Sequence, residues 1–133
     1  MNPQMSLAIQ NIIDVHMLIE DVFTGRDQGE SLQALLGSFD KTFKMVTIQG
    51  ASMNAQQASE LFSKNRGVRP SLVIEIRNIQ PLFECDGNTY WIQYLEYQTL
   101  AGKENSRTST VCIKIEDGKC HWLYLHETPI LVA

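Results

Sequence analysis

The spacing of apolar residues changes along the chain, from a helical repeat at the start to strict alternation in the second half. Between Asn2 and Phe23, the residues Met5, Ile9, Ile12, Ile13, Ile19 and Phe23 fall on one helical stripe, with Asp14 and Asp21 opposite, toward water. His16 lies near the centre of that stripe and Glu20 at its edge. Asn2 suits the N-cap, Pro3 the first turn and Gly25 the stop. Ser31 to Leu36 reads as a short helix closed by Gly37, and Phe39 to Gln49 as a strand. Asn54 and Gln57 form a capping box for a third helix with Ala58, Leu61 and Phe62 on one face. Lys64 and Arg66 suit its last turn, and Gly67 ends it.

Beyond Pro70 the pattern is that of strands: Leu72 to Ile79, Thr89 to Leu100, Arg107 to Glu116 and Lys119 to Thr128. Pro81 interrupts the first of these and marks a bend or a sheet edge. Asp86-Gly87-Asn88, Gly102-Lys103 and Asp117-Gly118 supply the turns. The expected fold is α+β, with helices from the first half covering an antiparallel sheet built mainly from the second.

Turn positions fix which side chains share a face. With Asp117-Gly118 as a two-residue turn, Ile115 faces Cys120, Ile113 faces Trp122, Val111 faces Tyr124 and Ser109 faces His126. With Gly102-Lys103 as the preceding turn, Ile92 faces Ile113, Tyr94 faces Val111, Glu96 faces Ser109 and Gln98 faces Arg107. The shared face is apolar near the Asp117 turn and polar at the other end. There it gathers Tyr94, Glu96, Arg107, Ser109, Tyr124 and His126, with His16 arriving from the first helix. A buried apolar surface with a few convergent polar groups is the pattern of a ligand pocket, so these seven residues are the expected lining.

Composition narrows the chemistry. At 133 residues the chain is expected to form one domain. Its net charge of −4, from 11 basic and 15 acidic residues, opposes nucleic-acid binding, which needs clustered cations. Cys85, Cys112 and Cys120 have neither CxxC spacing nor an even count, so buried free thiols in a reducing compartment are expected. No basic leader opens the chain, and Gln10, Asn11, Asp14, Glu20 and Asp21 break its first apolar run. A cytoplasmic protein with no membrane contact is expected. His121 and His126, five apart on a strand, should point to opposite faces, and no HExxH, GxSxG, GxGxxG or phosphate-binding loop occurs. No metal or cofactor is expected.

Particular residues carry a family likeness: Ser63-Lys64-Asn65 after the third helix, the Asp117-Gly118-Lys119 turn, and the ending Leu123-Tyr124-Leu125-His126-Glu127-Thr128. With the order of elements, they resemble the nuclear transport factor 2-like (cystatin-like) superfamily. Within it they are similar to SnoaL-like proteins and to the association domain of calcium/calmodulin-dependent protein kinase II. The resemblance implies a cone-shaped, strongly curved antiparallel sheet with N-terminal helices on its concave face. It also implies a homodimer, or a higher homo-oligomer, packed through the sheet. The association domain carries pocket arginines on its long strands; here Glu96 and Val111 stand near those places, and Cys120 replaces a Trp after Asp-Gly-Lys. Two functions fit these residues. One is a self-associating domain that binds a small apolar or carbonyl ligand between the first helix and the sheet, with Glu96 and Arg107 as a buried diagonal ion pair bonded to Ser109 and His126. The other is an isomerase, cyclase or lyase in which Glu96 or His126 abstracts a proton and Tyr94 or Tyr124 stabilises an enolate.

Overall fold

The computed structural model describes residues 2–27 and 29–131. In chain order the elements are α1 (Pro3–Thr24), α2 (Glu30–Leu36), β1 (Phe39–Val46), β2 (Ser52–Asn54), α3 (Ala55–Lys64), β3 (Val73–Cys85), β4 (Thr89–Leu100), β5 (Lys103–Glu116) and β6 (Lys119–Pro129). The six strands form one curved sheet in the order β2-β1-β6-β5-β4-β3. The fold is therefore α+β, as the periodicity predicts, with the helices on the concave face, as the family resemblance implies. One pairing departs from the expected antiparallel pattern: β1 runs parallel to β6. The chain reaches that position by crossing over through α3, β3 and the two long hairpins, a connection that local hydrophobic alternation does not reveal.

α1 begins where the Asn2 side chain accepts the Met5 amide at 2.8 Å and ends at Gly25, whose φ is 72°. Its core stripe is Met5, Ala8, Ile12, Val15, His16, Ile19, Val22 and Phe23; Ile13, expected on that stripe, is exposed. Polar side chains set the height of α1 on the sheet. Gln4 bonds the Tyr90 hydroxyl, Asn11 accepts from the Trp122 indole at 2.6 Å, and Glu20 accepts the Ile74 amide of β3 at 2.6 Å. The exit from α3 is tied to the end of α1 by amides of Gly67 and Arg69 donating to the carbonyls of Val22 and Phe23, both at 2.9 Å. A Cβ on Gly25 would stand 3.0 Å from the Cα of Gly67, so the two chain segments meet this closely only with glycine there.

The capping box of α3 is present: Asn54 accepts the Gln57 amide at 2.8 Å and Gln57 accepts the Asn54 amide at 2.9 Å. The helix stops at Lys64, two residues short of Arg66. Asn54→Ala should cost about 1 kcal/mol, read from urea unfolding, because it strands amides at an exposed helix start.

Two registers differ from expectation, with different consequences. The β4–β5 turn is Ala101-Gly102, both with positive φ (52° and 80°), and Leu100 pairs with Lys103. Every cross-strand partner therefore shifts by two residues, which preserves the faces: Ile92 meets Val111, Tyr94 meets Ser109, Glu96 meets Arg107 and Gln98 meets Asn105. The β5–β6 pairing holds its expected register from Glu116–Lys119 to Ile113–Trp122, then shifts by one. Leu123 is the extra residue of a β-bulge, and beyond it Cys112 pairs with Tyr124, Val111 with Leu125, Thr110 with His126 and Ser109 with Glu127. A one-residue shift exchanges faces, so Leu125 and Glu127 turn inward while Tyr124 and His126 turn outward. His121 and His126 consequently share the outer face, contrary to expectation, though at about 3.3 Å rise per residue they still stand roughly 15 Å apart. Pro81 sits in β3, which is an edge strand with irregular pairing on both sides of the proline.

Candidate functional site

The concave face encloses a cavity of about 600 Å³ between α1, α3, β1 and the three long strands β4, β5 and β6. Its two sides differ. β1, α1 and α3 contribute Phe39, Met45, Ile19, Phe23 and Phe62, with Trp122 and Leu125 from β6. The hairpin of β4 and β5 contributes Glu96, Gln98, Asn105 and Arg107; Glu127 of β6 and His16 of α1 complete the polar side.

Of the seven residues expected to line a pocket, His16, Glu96 and Arg107 do so. Tyr94 and Ser109 lie on the same face but are buried and do not line the cavity; the Tyr94 hydroxyl stands 3.4 Å from His16 Nε2. Tyr124 and His126 are on the opposite face, where the Tyr124 hydroxyl and His126 Nδ1 bond each other at 2.7 Å. The bulge at Leu123 is the reason, and it brings in Glu127 instead. Strict alternation could not have found Glu127; the run Leu123-Tyr124-Leu125 alternates equally well in either phase, so no local signal marks the slip.

The expected Glu96–Arg107 ion pair is also rearranged. Glu96 is bonded to His16, whose Nε2 stands 3.1 Å from Oε1, and Gln98 donates to its Oε2 at 2.6 Å. Arg107 pairs instead with Glu127 at 3.3 Å through Nη1 and donates to Asn105 Oδ1 at 2.7 Å through Nη2. Arg107 Nε is buried with no hydrogen-bond partner among the described residues. His16 Nδ1 is 2.8 Å from the Ile12 carbonyl. A carbonyl only accepts, so Nδ1 carries a proton and Nε2 is the nitrogen that can give one up.

The protonation states follow from this geometry. Burial alone would raise the Glu96 pKa, but the charge and hydrogen bond of His16, the Arg107 charge and the Gln98 amide outweigh it and bring the carboxyl down to about 2. For His16, burial disfavours the imidazolium, yet the facing Glu96 carboxylate and the Ile12 carbonyl raise its pKa above 6.5. Below that raised value the two form an imidazolium–carboxylate pair, 3% and 2% exposed. Glu127 goes the other way: burial and the neighbouring Glu96 charge raise its pKa, against the opposing pull of Arg107. Burial and the same two carboxylates also push the Tyr94 phenol well above 10.

The thiols lie apart from this site. Burial raises Cys112 and Cys120 to about 11, with smaller contributions from Cys85 and Asp14 respectively, so neither is a thiolate near neutrality. Among the described residues, no group of three His, Cys, Asp or Glu side chains converges as a metal site would require. No described helix is long and apolar enough to cross a membrane.

No protein-family model matches the sequence, and no curated protein matches it. Solved structures do match. An NTF-2-like protein of unknown function from Pseudomonas aeruginosa superposes with a TM-score of 0.89 at 31% identity, over 94% of this chain and 99% of that one. A protein described as a putative calcium/calmodulin-dependent protein kinase type II association domain, from Thiobacillus denitrificans, has a TM-score of 0.64 at 12% identity, over 85% and 93%. A domain of unknown function with a cystatin-like fold from Nostoc punctiforme has a TM-score of 0.69 at 13% identity, over 92% and 77%. The last two likenesses show the fold alone.

Proposed function

The chain belongs to the NTF-2-like family, and from that premise we propose that it is a self-associating binding domain that holds a small, mainly apolar molecule in the cavity between α1 and the sheet. The cavity carries this reading. Its volume of about 600 Å³ falls within the usual range for small-molecule sites, and its apolar side faces a short polar one. Catalysis by the residues first expected to serve it is disfavoured. Glu96 at about 2 is too weak a base near neutrality, and His126 lies on the other face of the sheet. The acid–base alternative now rests on Glu127, a cavity carboxyl with a raised pKa.

Nile red, an uncharged apolar dye, should bind with one-to-one stoichiometry and micromolar affinity. Met53→Trp, which fills the cavity from β2, should remove that binding while leaving the circular dichroism unchanged. Binding unaffected by Met53→Trp would place the dye elsewhere and sink the reading.

The outer face supports self-association. Phe83, Trp91 and Tyr124 form a row across β3, β4 and β6, with ring centroids 6.0 and 6.1 Å apart, and Phe83 is 54% exposed. Leu95, Tyr97 and Cys112 lie on the same face, which none of the described helices covers. Contiguous apolar surface of this kind marks an interface. Analytical ultracentrifugation at micromolar concentration should give twice the 15.1 kDa chain mass, and Trp91→Glu should give monomers. A monomeric parent protein would refute the assembly.

A further inference from the structure

Gln98 and Asn105 stand directly opposite each other across the β4–β5 ladder, and both line the cavity, Gln98 buried and Asn105 exposed at its open edge. Each carboxamide has one end committed to a fixed charge. The Gln98 amide nitrogen donates to the Glu96 carboxylate, which can only accept, so its Oε1 is turned to the other side. The Asn105 oxygen accepts from the Arg107 guanidinium, which can only donate, so its Nδ2 is the free end. Neither free end has a hydrogen-bond partner among the described residues. The wall thus presents an acceptor and a donor side by side, with their orientations set by the charges behind them.

The charges themselves are matched within the wall. His16 faces Glu96 and Arg107 faces Glu127, so each basic group of the polar side already has a carboxyl partner. A charged ligand entering here would lose its hydration without meeting an unpaired opposite charge. Arg69 also lines the cavity, but it is only partly buried and its guanidinium lies over the Phe23 ring, 4.8 Å from the centroid.

Resting on the reading of the cavity as a binding site, we propose that its ligand is uncharged and presents an adjacent N–H and carbonyl, as a primary carboxamide, lactam or imide does, to Gln98 Oε1 and Asn105 Nδ2. The ligand N–H donates to Gln98 and its carbonyl accepts from Asn105. Its apolar body lies against Phe39, Met45 and Phe62 on the far side of the cavity.

Four probes of one shape separate the possibilities: para-butylbenzamide, its N,N-dimethyl amide, para-butylbenzoate and para-butylbenzylamine, each titrated by calorimetry into the full chain. The benzamide should bind about tenfold tighter than each of the others, the margin expected for one or two net hydrogen bonds and an unpaired charge avoided. Asn105→Asp keeps the oxygen that Arg107 needs but replaces the free donor with an acceptor. It should weaken benzamide binding about tenfold, with an unchanged melting curve as the control for folding. If the benzoate binds best, above all if Arg69→Ala then abolishes it, the inference fails while the cavity remains a binding site. Equal binding of the benzamide and its dimethyl form also overturns the inference. If none of the four binds and Nile red also fails, the binding reading falls and takes the inference with it.

Discussion

Glu96→Leu should lower the free energy of unfolding by about 3–5 kcal/mol, the usual cost of removing one partner from a buried ion pair. Three groups depend on that carboxylate: His16 at 3.1 Å, Gln98 at 2.6 Å and, through its charge, Arg107. Without it, burial of His16 is opposed only by the Ile12 carbonyl and the Glu127 charge, the smaller of the influences that raise its pKa. The imidazole sheds its Nε2 proton, because Nδ1 stays committed to the Ile12 carbonyl, and Nε2 is left with only the Tyr94 hydroxyl, 3.4 Å away, as a donor. His16→Leu/Glu96→Leu removes both charges together and leaves apolar side chains against Tyr94 and Trp122. The double variant should therefore be more stable than Glu96→Leu alone, since well-packed apolar residues often replace a buried pair at little cost. Urea unfolding of the parent, Glu96→Leu, His16→Leu and the double variant, followed by the fluorescence of buried Trp122, checks both statements. Additive losses would mean that the pair contributes no coupling.

The same pair sets a pH window. The folded pKa of Glu96, about 2, lies below its ordinary 4.5. Its contribution is therefore fully present above about pH 4.5 and is lost as pH falls toward 2. The folded pKa of His16 is raised above 6.5, so its contribution is fully present below about pH 6.5 and is lost as pH rises through the raised value. The stability gap between parent and Glu96→Leu should thus be widest between about pH 4.5 and 6.5 and narrow on both sides. A gap that stays constant from pH 3 to 9 would show that the pair is not ionised as described.

The parts of the fold legible in the sequence are those where local and global preferences agree. Asn2, Gly25, Asn54 and Gln57 mark helix ends because backbone groups there need partners whatever the tertiary structure. The inner faces of β4 and β5 were legible even though their turn was misplaced, because a two-residue slip preserves parity. Glu96 and Arg107 reached the site for that reason, and His16 because the helical repeat puts it on the buried stripe of α1. What failed were features that depend on the rest of the molecule. The parallel β1–β6 pairing is a non-local contact. The bulge at Leu123 occurs where β6 must bend and also pair with β1, whose own register shifts between Phe39 and Lys44. The partner of Glu96 was misassigned because only the packed helix decides how far His16 reaches across the cavity.

That bulge can be tested by exchanging the roles of adjacent residues. In an unbroken alternation His126 would be buried beside Arg107 and Glu127 would face water; in the structure the reverse holds. Glu127→Leu should therefore cost about 2–3 kcal/mol, because it leaves the Nη1 group of Arg107 buried without an acceptor. His126→Ala should change stability by less than about 1 kcal/mol, since it removes only an exposed bond to the Tyr124 hydroxyl. Glu127→Gln separates charge from hydrogen bonding. Burial and Glu96 raise the Glu127 pKa, so ionising that carboxyl costs stability as pH rises from about 4.5 through the raised value. A carboxamide there still accepts from Arg107 but carries no charge to repel Glu96. Glu127→Gln should consequently lose far less than Glu127→Leu at neutral pH, and its stability should fall less steeply with rising pH than that of the parent. A His126→Ala loss larger than that of Glu127→Leu would restore the unbroken register and return His126 to the inner wall.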